Sequence, residues 1–250
     1  MTKEITTSGM IIKETKFGEG NKIFTILTFD HGKIQASGAG VRSFKSKLGS
    51  GCSLFCYTDF ILKKGENRDV YNIISAEKKM DFFDIRYDVE KLALVNYICD
   101  LANFISVHNG DCGDILRLLL NTIYYVQKND FDTKVKPVFE FRLMCEAGFA
   151  PNLTSCHHCG SLENLHYFST DDGVTECEKC HKVPNISKGT LDAIKYICTS
   201  PQKNIFSFEA EEEVLHQLSV FAEQYILQQT GNIPKSLIYL KSIQIKKTGM

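Results

Sequence analysis

Two Cys-x-x-Cys pairs in the second half of the chain have the residue types and spacing of a metal site. The pairs are Cys156/Cys159 and Cys177/Cys180, and 17 residues separate them. Each pair places two sulfurs about one turn apart, and this separation is typical of two tight turns that share one tetrahedral zinc ion. The spacing therefore predicts one structural Zn2+ bound by all four cysteines: Cys156, Cys159, Cys177 and Cys180.

Neighbouring histidines leave an alternative ligand set open. His157, His158 and His181 can each replace a cysteine, although we expect them to face solvent or to lie beside the ligands. A zinc-dependent deaminase would need a His-x-Glu triplet before its cysteine pair, and the sequence contains none. A structural zinc contributes ~10–16 kcal/mol to folding, enough to organise a segment too short for its own core.

A basic segment, residues 41–48, has the composition of a nucleic-acid contact. Small polar residues and Phe44 separate its three cations. Cations can contact phosphates while an aromatic ring stacks on a base, as in proteins that bind single strands of any sequence. The alternative is a solvated loop with Phe44 packed in the core. Two further lysines flank this part of the predicted barrel, so the predicted DNA-binding residues are Lys22, Lys33, Arg42, Lys45 and Lys47.

Other patterns predict no catalytic or nucleotide site. Asp81, Asp84 and Asp88 have helical spacing and resemble a carboxylate metal site, but acids more often complement the dipole of a helix start. The sequence has no Walker A motif, and its Gly-x-Gly pairs lack the context of a nucleotide loop. We therefore expect neither an enzyme nor a nucleotide cofactor.

Composition and charge restrict the class of protein. The chain has 250 residues, of which 43% are hydrophobic. Residues 1–80 contain 13 Lys and Arg against 8 Asp and Glu, and residues 81–250 contain 16 against 22. The basic first part can meet a polyanion and the acidic remainder a protein, or the excess is ordinary surface variation. No apolar run resembles a signal peptide or a membrane span, so ten cysteines indicate a reduced, cytoplasmic protein without membrane attachment.

Turn signals divide the first 80 residues into five short strands. The predicted strands are 5–12, 22–29, 33–39, 52–62 and 70–76. Asp30, His31 and Gly32 predict a three-residue hairpin loop with glycine in a left-handed conformation. Five strands in this length favour a closed barrel, of the OB type as first choice and SH3-like as second.

Helical periodicity begins at about residue 81. One predicted helix has Leu92, Val95, Cys99 and Ala102 on a single face, and others contain Ile115–Ile123, Phe141–Leu143, Leu191–Ile197 and 209–229. We expect Ser187 to cap a helix and Gly231 to end one. The predicted fold is α+β: an OB-fold DNA-binding domain at 1–80 and a helical domain at 81–250, with a zinc knuckle inserted at about 151–184.

Taken together, these segments resemble the RecO family of bacterial recombination mediators and DNA-annealing proteins. The N-terminal likeness covers Phe17–Ile23, Thr25–Thr28 and His31–Ile34, followed by the basic segment. The C-terminal likeness covers Phe139–Leu143, Gly148–Pro151, both cysteine pairs, Tyr167–Phe168, Gly173–Val174 and Lys235–Leu237. The order and spacing of these pieces support the resemblance more than any single piece does.

The resemblance implies a DNA repair and recombination function. It implies that the protein binds single- and double-stranded DNA and anneals complementary strands. It also implies action with RecR and with the C-terminal tail of single-stranded-DNA-binding protein, so that RecA loads onto coated strands. The alternatives are a zinc-containing scaffold that binds nucleic acid, and a zinc-dependent nucleotide hydrolase or deaminase.

Overall fold

The computed structural model describes residues 3–43, 45–65, 69–108 and 110–248, and only the backbone of residues 245–248. The chain forms two compact units. The first unit extends to Lys128 and also includes the segment that begins at Ser236, and the second unit is Asn129–Lys235. The α+β class is confirmed, since a sheet forms the N-terminal part and helices dominate the remainder.

Five strands form a closed barrel in the first unit. They are β1 (Lys3–Phe17), β2 (Asn21–Thr28), β3 (Lys33–Gly38), β4 (Tyr57–Lys64) and β5 (Tyr71–Met80). Around the barrel their order is β1-β2-β3-β5-β4. The β3–β5 pair is parallel and every other pair is antiparallel. Closure leaves no open sheet edge, which is the physical reason that short strands favour a barrel.

Strand β1 closes the barrel because it pairs on both sides. Residues 9–17 pair with β2 and residues 3–10 pair with β4. A bulge between Ile11 and Lys13 bends the strand at the point where the partner changes. The inward positions of the strands alternate with exposed ones, and Phe24, Ile26 and Phe60 are fully buried in the barrel core. The period-two pattern of the sequence therefore matches the observed strands.

Three helices complete the first unit. They are α1 (Val89–Ile105), α2 (Gly113–Lys128) and α6 (Ser236–Thr248), and a 3₁₀ turn at Phe83–Tyr87 precedes α1. The carboxylate of Asp88 caps α1, because it accepts hydrogen bonds from the backbone N–H groups of Glu90 at 2.9 Å and Lys91 at 3.1 Å. Asp88 is thus a helix cap, which favours the dipole interpretation over the carboxylate metal site.

The second unit combines three helices with a small sheet. Its helices are α3 (Val135–Glu146), α4 (Lys188–Thr199) and α5 (Glu212–Thr230), with a 3₁₀ turn at Gln202–Asn204. Its strands are β6 (Asn152–Cys156), β7 (Leu165–Ser169) and β8 (Val174–Cys177), in the order β6-β8-β7. Ser187 caps α4 and Gly231, at φ 68°, ends α5, both as the sequence predicts.

Several elements differ from the sequence-based expectation. The strands β6, β7 and β8 and the helix α6 have no counterpart among the predicted elements. The predicted domain boundary near residue 81 stays a prediction: β5 ends at Met80, whereas the compact units divide the chain after Lys128. Within the described ranges, no helix has the length and apolar character that crossing a membrane requires.

An aromatic cluster attaches the small sheet to the helices of the second unit. The buried ring of Phe168 on β7 lies 5.6 Å from Phe221 and 5.9 Å from Tyr225, both on α5, measured between ring centroids. The ring of Phe141 on α3 stacks on Tyr225 at 5.8 Å. Such aromatic pairs contribute ~0.5–1.5 kcal/mol each beyond the area they bury. The sheet is therefore part of the helical core.

A buried ion pair joins α3 and α5 in the same unit. The Lys136 ammonium lies 3.0 Å from the Glu140 carboxylate and 3.1 Å from that of Glu223. The side chain of Glu140 is fully buried, and that of Lys136 is 10% exposed. A charge at this depth is tolerated only while its counter-charge is present. Lys136 therefore stabilises the helix packing mainly by neutralising Glu140.

Replacing Lys136 tests this arrangement. We expect Lys136→Met to lower the free energy of unfolding of the second unit by ~3–5 kcal/mol, because the fully buried Glu140 carboxylate loses the positive charge of Lys136. Urea unfolding of the full chain, with hydrogen exchange of α3 and α5 amides, measures the change. The matched control Lys188→Met removes an exposed lysine and should change stability by less than about 0.5 kcal/mol. Equal stabilities of the two variants would contradict the assignment.

Candidate metal centre and nucleic-acid interface

The sulfur atoms of the two cysteine pairs meet at one point in the second unit. The Sγ atoms of Cys156, Cys159, Cys177 and Cys180 all lie within 4.8 Å of one another. The Cys159 and Cys177 sulfurs are 3.6 Å apart. In a tetrahedral site with Zn–S bonds of ~2.3 Å, sulfurs are separated by about 3.8 Å. The arrangement therefore fits one metal ion with four thiolate ligands.

The small sheet brings the two pairs together. Strands β6 and β8 run parallel and end at Cys156 and Cys177, which places these two buried residues at neighbouring strand ends. A turn follows each strand, and the backbone N–H groups of Gly160 and Cys180 donate to the carbonyls of Cys156 at 2.9 Å and Cys177 at 3.0 Å. These turns direct the exposed Cys159 and Cys180 back toward the buried pair.

Backbone hydrogen bonds favour the thiolate form of the buried cysteines. Burial raises the pKa of the Cys156 thiol, but backbone N–H groups, among them that of Cys159, donate to it and bring its pKa down to about 6. The backbone N–H of Cys180 likewise lowers the pKa of Cys177. A hydrogen bond with the Cys159 sulfur, by contrast, raises the pKa of Cys180 to about 12. Adjacent thiolates repel one another, and a divalent cation removes that repulsion.

The histidines next to the cysteines have other partners. Among the described residues the sulfur cluster includes no imidazole. The rings of His158 and His181 lie 3.5 Å and 3.3 Å from the two carboxylate oxygens of Glu176. The Tyr167 ring stacks on His181 with centroids 3.5 Å apart. This arrangement is the one expected if the four cysteines, and not the histidines, are the ligands.

The conformation of Gly173 also connects the metal segment to the helices. Gly173 forms the β7–β8 turn at φ 67°, and a Cβ atom added there would lie 2.8 Å from the Tyr225 hydroxyl. That hydroxyl donates a hydrogen bond of 2.8 Å to the carbonyl of Phe149. Both the backbone conformation and the close approach require glycine. The turn that leads into β8, the strand that ends at Cys177, is thus packed directly on α5.

The cations of the basic segment are exposed in the first unit. Arg42, Lys45 and Lys47 lie on the β3–β4 connection, residues 39–56, which we call the cationic loop. Consecutive turns order its backbone, since the N–H of Ser46 donates to the Ser43 carbonyl at 2.9 Å and other turn bonds flank it. Phe44 lies outside the described residues, so its stacking role stays a prediction. The loop presents three cations to any approaching anion.

Contacts with the β1–β2 turn hold the cationic loop in place. The Arg42 guanidinium donates to the Glu19 carbonyl at 2.7 Å, and the N–H of Gly40 donates to the Asn21 side chain at 2.8 Å. Pairing of β2 with β3 brings the two loops together, and no local motif signals that pairing.

Lys22 and Lys33 each have a partner within the first unit, as Arg42 does. The Lys22 ammonium forms an ion pair with Glu14 at 2.9 Å. The Lys33 ammonium donates to the Asn103 carbonyl at 2.6 Å. Burial lowers the pKa of Lys33, and the nearby Cys112 partly offsets this. The DNA-binding roles of Lys22 and Lys33 stay predictions, and contact with phosphate would require these lysines to exchange partners.

Known protein families match nearly the whole length of the chain. The family profile described as Recombination protein O N terminal matches residues 1–80, and the one described as Recombination protein O C terminal matches residues 86–238. The chain belongs to the RecO family of DNA repair proteins. A DNA repair protein RecO from Acetivibrio thermocellus is 35% identical over 245 residues, covering 96% of this chain and 97% of the relative.

A second RecO relative shows the same end-to-end coverage. The DNA repair protein RecO of Caldicellulosiruptor bescii is 31% identical over 248 residues, covering 97% of this chain and all of the relative. The family resemblance inferred from sequence is therefore confirmed. The cationic loop lies within the N-terminal RecO match and the sulfur cluster within the C-terminal match.

Loss of a sulfur tests the metal centre of this RecO-family protein. We expect Cys156→Ser to lower the bound metal from one ion per chain toward none, because one of four thiolate ligands is removed. Hydrogen exchange should then increase in β6–β8 and in α5, because the sheet packs on α5 through Phe168. Elemental analysis and exchange mass spectrometry of the full chain measure both effects.

The control for this experiment is Cys145→Ser, which changes a cysteine of the same unit outside the sulfur cluster. It should retain the metal. Undiminished metal content in Cys156→Ser, or unchanged exchange in α5 after the metal is lost, would contradict the role assigned to the cluster.

Proposed function

We propose that this protein is a DNA-binding and strand-annealing mediator that works in DNA repair and homologous recombination without catalysis of its own. The observation that supports this most is the set of three exposed cations on an ordered loop of the barrel in a RecO-family chain. Arg42, Lys45 and Lys47 contact phosphates, and Lys22 and Lys33 contribute where the DNA displaces their present partners.

The barrel topology supports an OB-type binding module. Five strands closed in the order β1-β2-β3-β5-β4 form a small barrel of mixed pairing, and OB barrels are five-stranded modules that bind oligonucleotides. A rigid barrel also keeps the cationic loop in one orientation, which reduces the entropy lost when DNA binds. We therefore propose that the N-terminal barrel is an OB-fold and the DNA-binding part of the chain.

Annealing follows from the same electrostatics. Two complementary strands repel each other through their phosphates, and a protein that neutralises phosphates releases condensed counterions and lowers that repulsion. Contacts limited to the backbone leave the base edges available for pairing. This work needs no hydrolysis, so the proposal requires no nucleotide cofactor. Single strands and duplexes are both ligands because both present phosphates.

We propose that the four cysteines bind one structural Zn2+. Four thiolates form a closed set of soft ligands, which suits zinc and leaves no position for a reacting water. The ion would fix the ends of β6 and β8 and so hold the small sheet on the helical core. This arrangement supports a structural metal over the zinc-dependent hydrolase or deaminase alternative.

The partners of the proposed function come from the family resemblance. We propose that the protein acts in the bacterial cytoplasm, in association with the nucleoid. There it would work with RecR and with the C-terminal tail of single-stranded-DNA-binding protein to load RecA onto coated strands. The acidic charge of residues 81–250 supports a protein-binding role for that part of the chain.

A strand-annealing assay with two charge variants tests the proposal. The variant Arg42→Ala/Lys45→Ala/Lys47→Ala should anneal bare complementary oligonucleotides more slowly than the original chain, with no nucleotide present. Its single-strand affinity should also depend less steeply on salt, with the slope of log K against log salt smaller by about 2, since each lost phosphate contact contributes about 0.7.

The matched control removes three exposed lysines of the second unit: Lys182→Ala/Lys188→Ala/Lys203→Ala. It has the same net charge as the loop variant, so equal effects would mean that total charge alone matters. Unchanged annealing and an unchanged salt slope in the loop variant would overturn the assignment of the cationic loop.

A further inference from the structure

One exposed aromatic side chain lies at the cationic end of the barrel. Among the described barrel residues, 3–43, 45–65 and 69–80, Phe17 is the one aromatic with an exposed side chain, at 58%. Its neighbours in the barrel, such as Phe24 and Phe60, are fully buried. Burying a phenylalanine stabilises a fold by ~1.5–3 kcal/mol, and Phe17 forgoes most of that. Its ring is therefore accessible to a ligand.

The position of Phe17 links it to the cationic loop. Phe17 ends β1 and directly precedes the turn whose Glu19 carbonyl accepts the Arg42 guanidinium at 2.7 Å. Phe17 and Glu19 are two residues apart, and the Cα atoms of such residues lie at most about 7 Å from each other, so the ring and the guanidinium belong to the same end of the hairpin. The Gly40–Asn21 hydrogen bond of 2.8 Å fixes the same turn. The exposed ring of Phe17 is therefore next to a turn that hydrogen bonds hold in place.

Two lysines also face each other at the end of the β1–β2 hairpin, beside the acidic residues Glu14 and Glu19. Lys16 and Lys22 are direct cross-strand partners. Like charges directly opposite each other destabilise a strand pair, and the ion pair of Glu14 with Lys22 at 2.9 Å offsets only part of this. Local departures from the most stable arrangement are expected at functional sites. Here an exposed ring and opposed cations occur at the same hairpin end.

We propose that Phe17 is the side chain on which an unpaired base of single-stranded DNA stacks while the cationic loop contacts the phosphates. This inference rests on the proposed function and adds to it a preference for single strands over duplexes. In a duplex the faces of the bases are covered by their neighbours, so the ring distinguishes single strands from duplexes. Every base has a π-face, so the contact discriminates little between sequences.

The variant Phe17→Ala in the full chain tests the inference. Binding of oligothymidine should weaken by about 5- to 150-fold, the effect of removing a stacking contact of ~1–3 kcal/mol. Binding of a duplex of equal length should not change, and neither should the salt slope, because no charge is removed. Phe17→Tyr should bind oligothymidine like the original chain. A strand with abasic sites in place of thymidines should bind Phe17→Ala and the original chain equally.

A matched control is Tyr239→Ala, which removes an aromatic of α6 in the same unit that is 56% exposed. It should retain full affinity for oligothymidine. Equal weakening of single-strand, duplex and abasic binding in Phe17→Ala would show a structural role and overturn the inference. Undiminished oligothymidine binding would overturn it as well.

The outcomes also separate this inference from the proposed function. If the original chain binds oligothymidine with a steep salt slope and Phe17→Ala does the same, only the stacking role fails. If the original chain binds no oligonucleotide even at low salt, the proposed function fails and the stacking role falls with it.

Discussion

The closure of the barrel by β1 is the constraint on which the candidate DNA interface depends. This 15-residue strand pairs with β2 along its second part and with β4 along its first. Pairing of β2 with β3 in the same barrel brings the β1–β2 turn and the start of the cationic loop together, and hydrogen bonds from Arg42 and Gly40 join them. The bulge near Ile11 bends β1 where its pairing changes from β4 to β2, so that one strand can close the barrel.

The second unit depends on a different short-range interaction. Its sheet buries little surface by itself, because β6, β7 and β8 have only 5, 5 and 4 residues. Their sulfurs converge at the strand ends, and Phe168 packs between α3 and α5. The sulfur cluster and the aromatic packing therefore involve the same few strands, and a metal held by the cysteines would stabilise this packing without taking part in any reaction.

The sequence predicted best those features that depend on residue types at a fixed local spacing. The four cysteines, the cap at Ser187 and the end of α5 at Gly231 were predictable, because metal turns and helix ends follow local rules. The strands β6–β8 were not, since their pairing depends on sulfurs that meet across 17 residues. Nor was the exposure of Phe17 predictable, because an aromatic at the end of an alternating strand ordinarily predicts burial. Partners such as Asn103 for Lys33 arise only from tertiary packing.

Photo-cross-linking maps the proposed DNA contact most directly. The full chain would be cross-linked to a single strand that contains a photoreactive thymidine, digested, and analysed by mass spectrometry for peptides that carry nucleotide. The account predicts cross-links in the β1–β2 turn and the cationic loop, which lie together on the barrel. Cross-links found only in Asn129–Lys235, with none in the barrel, would contradict it.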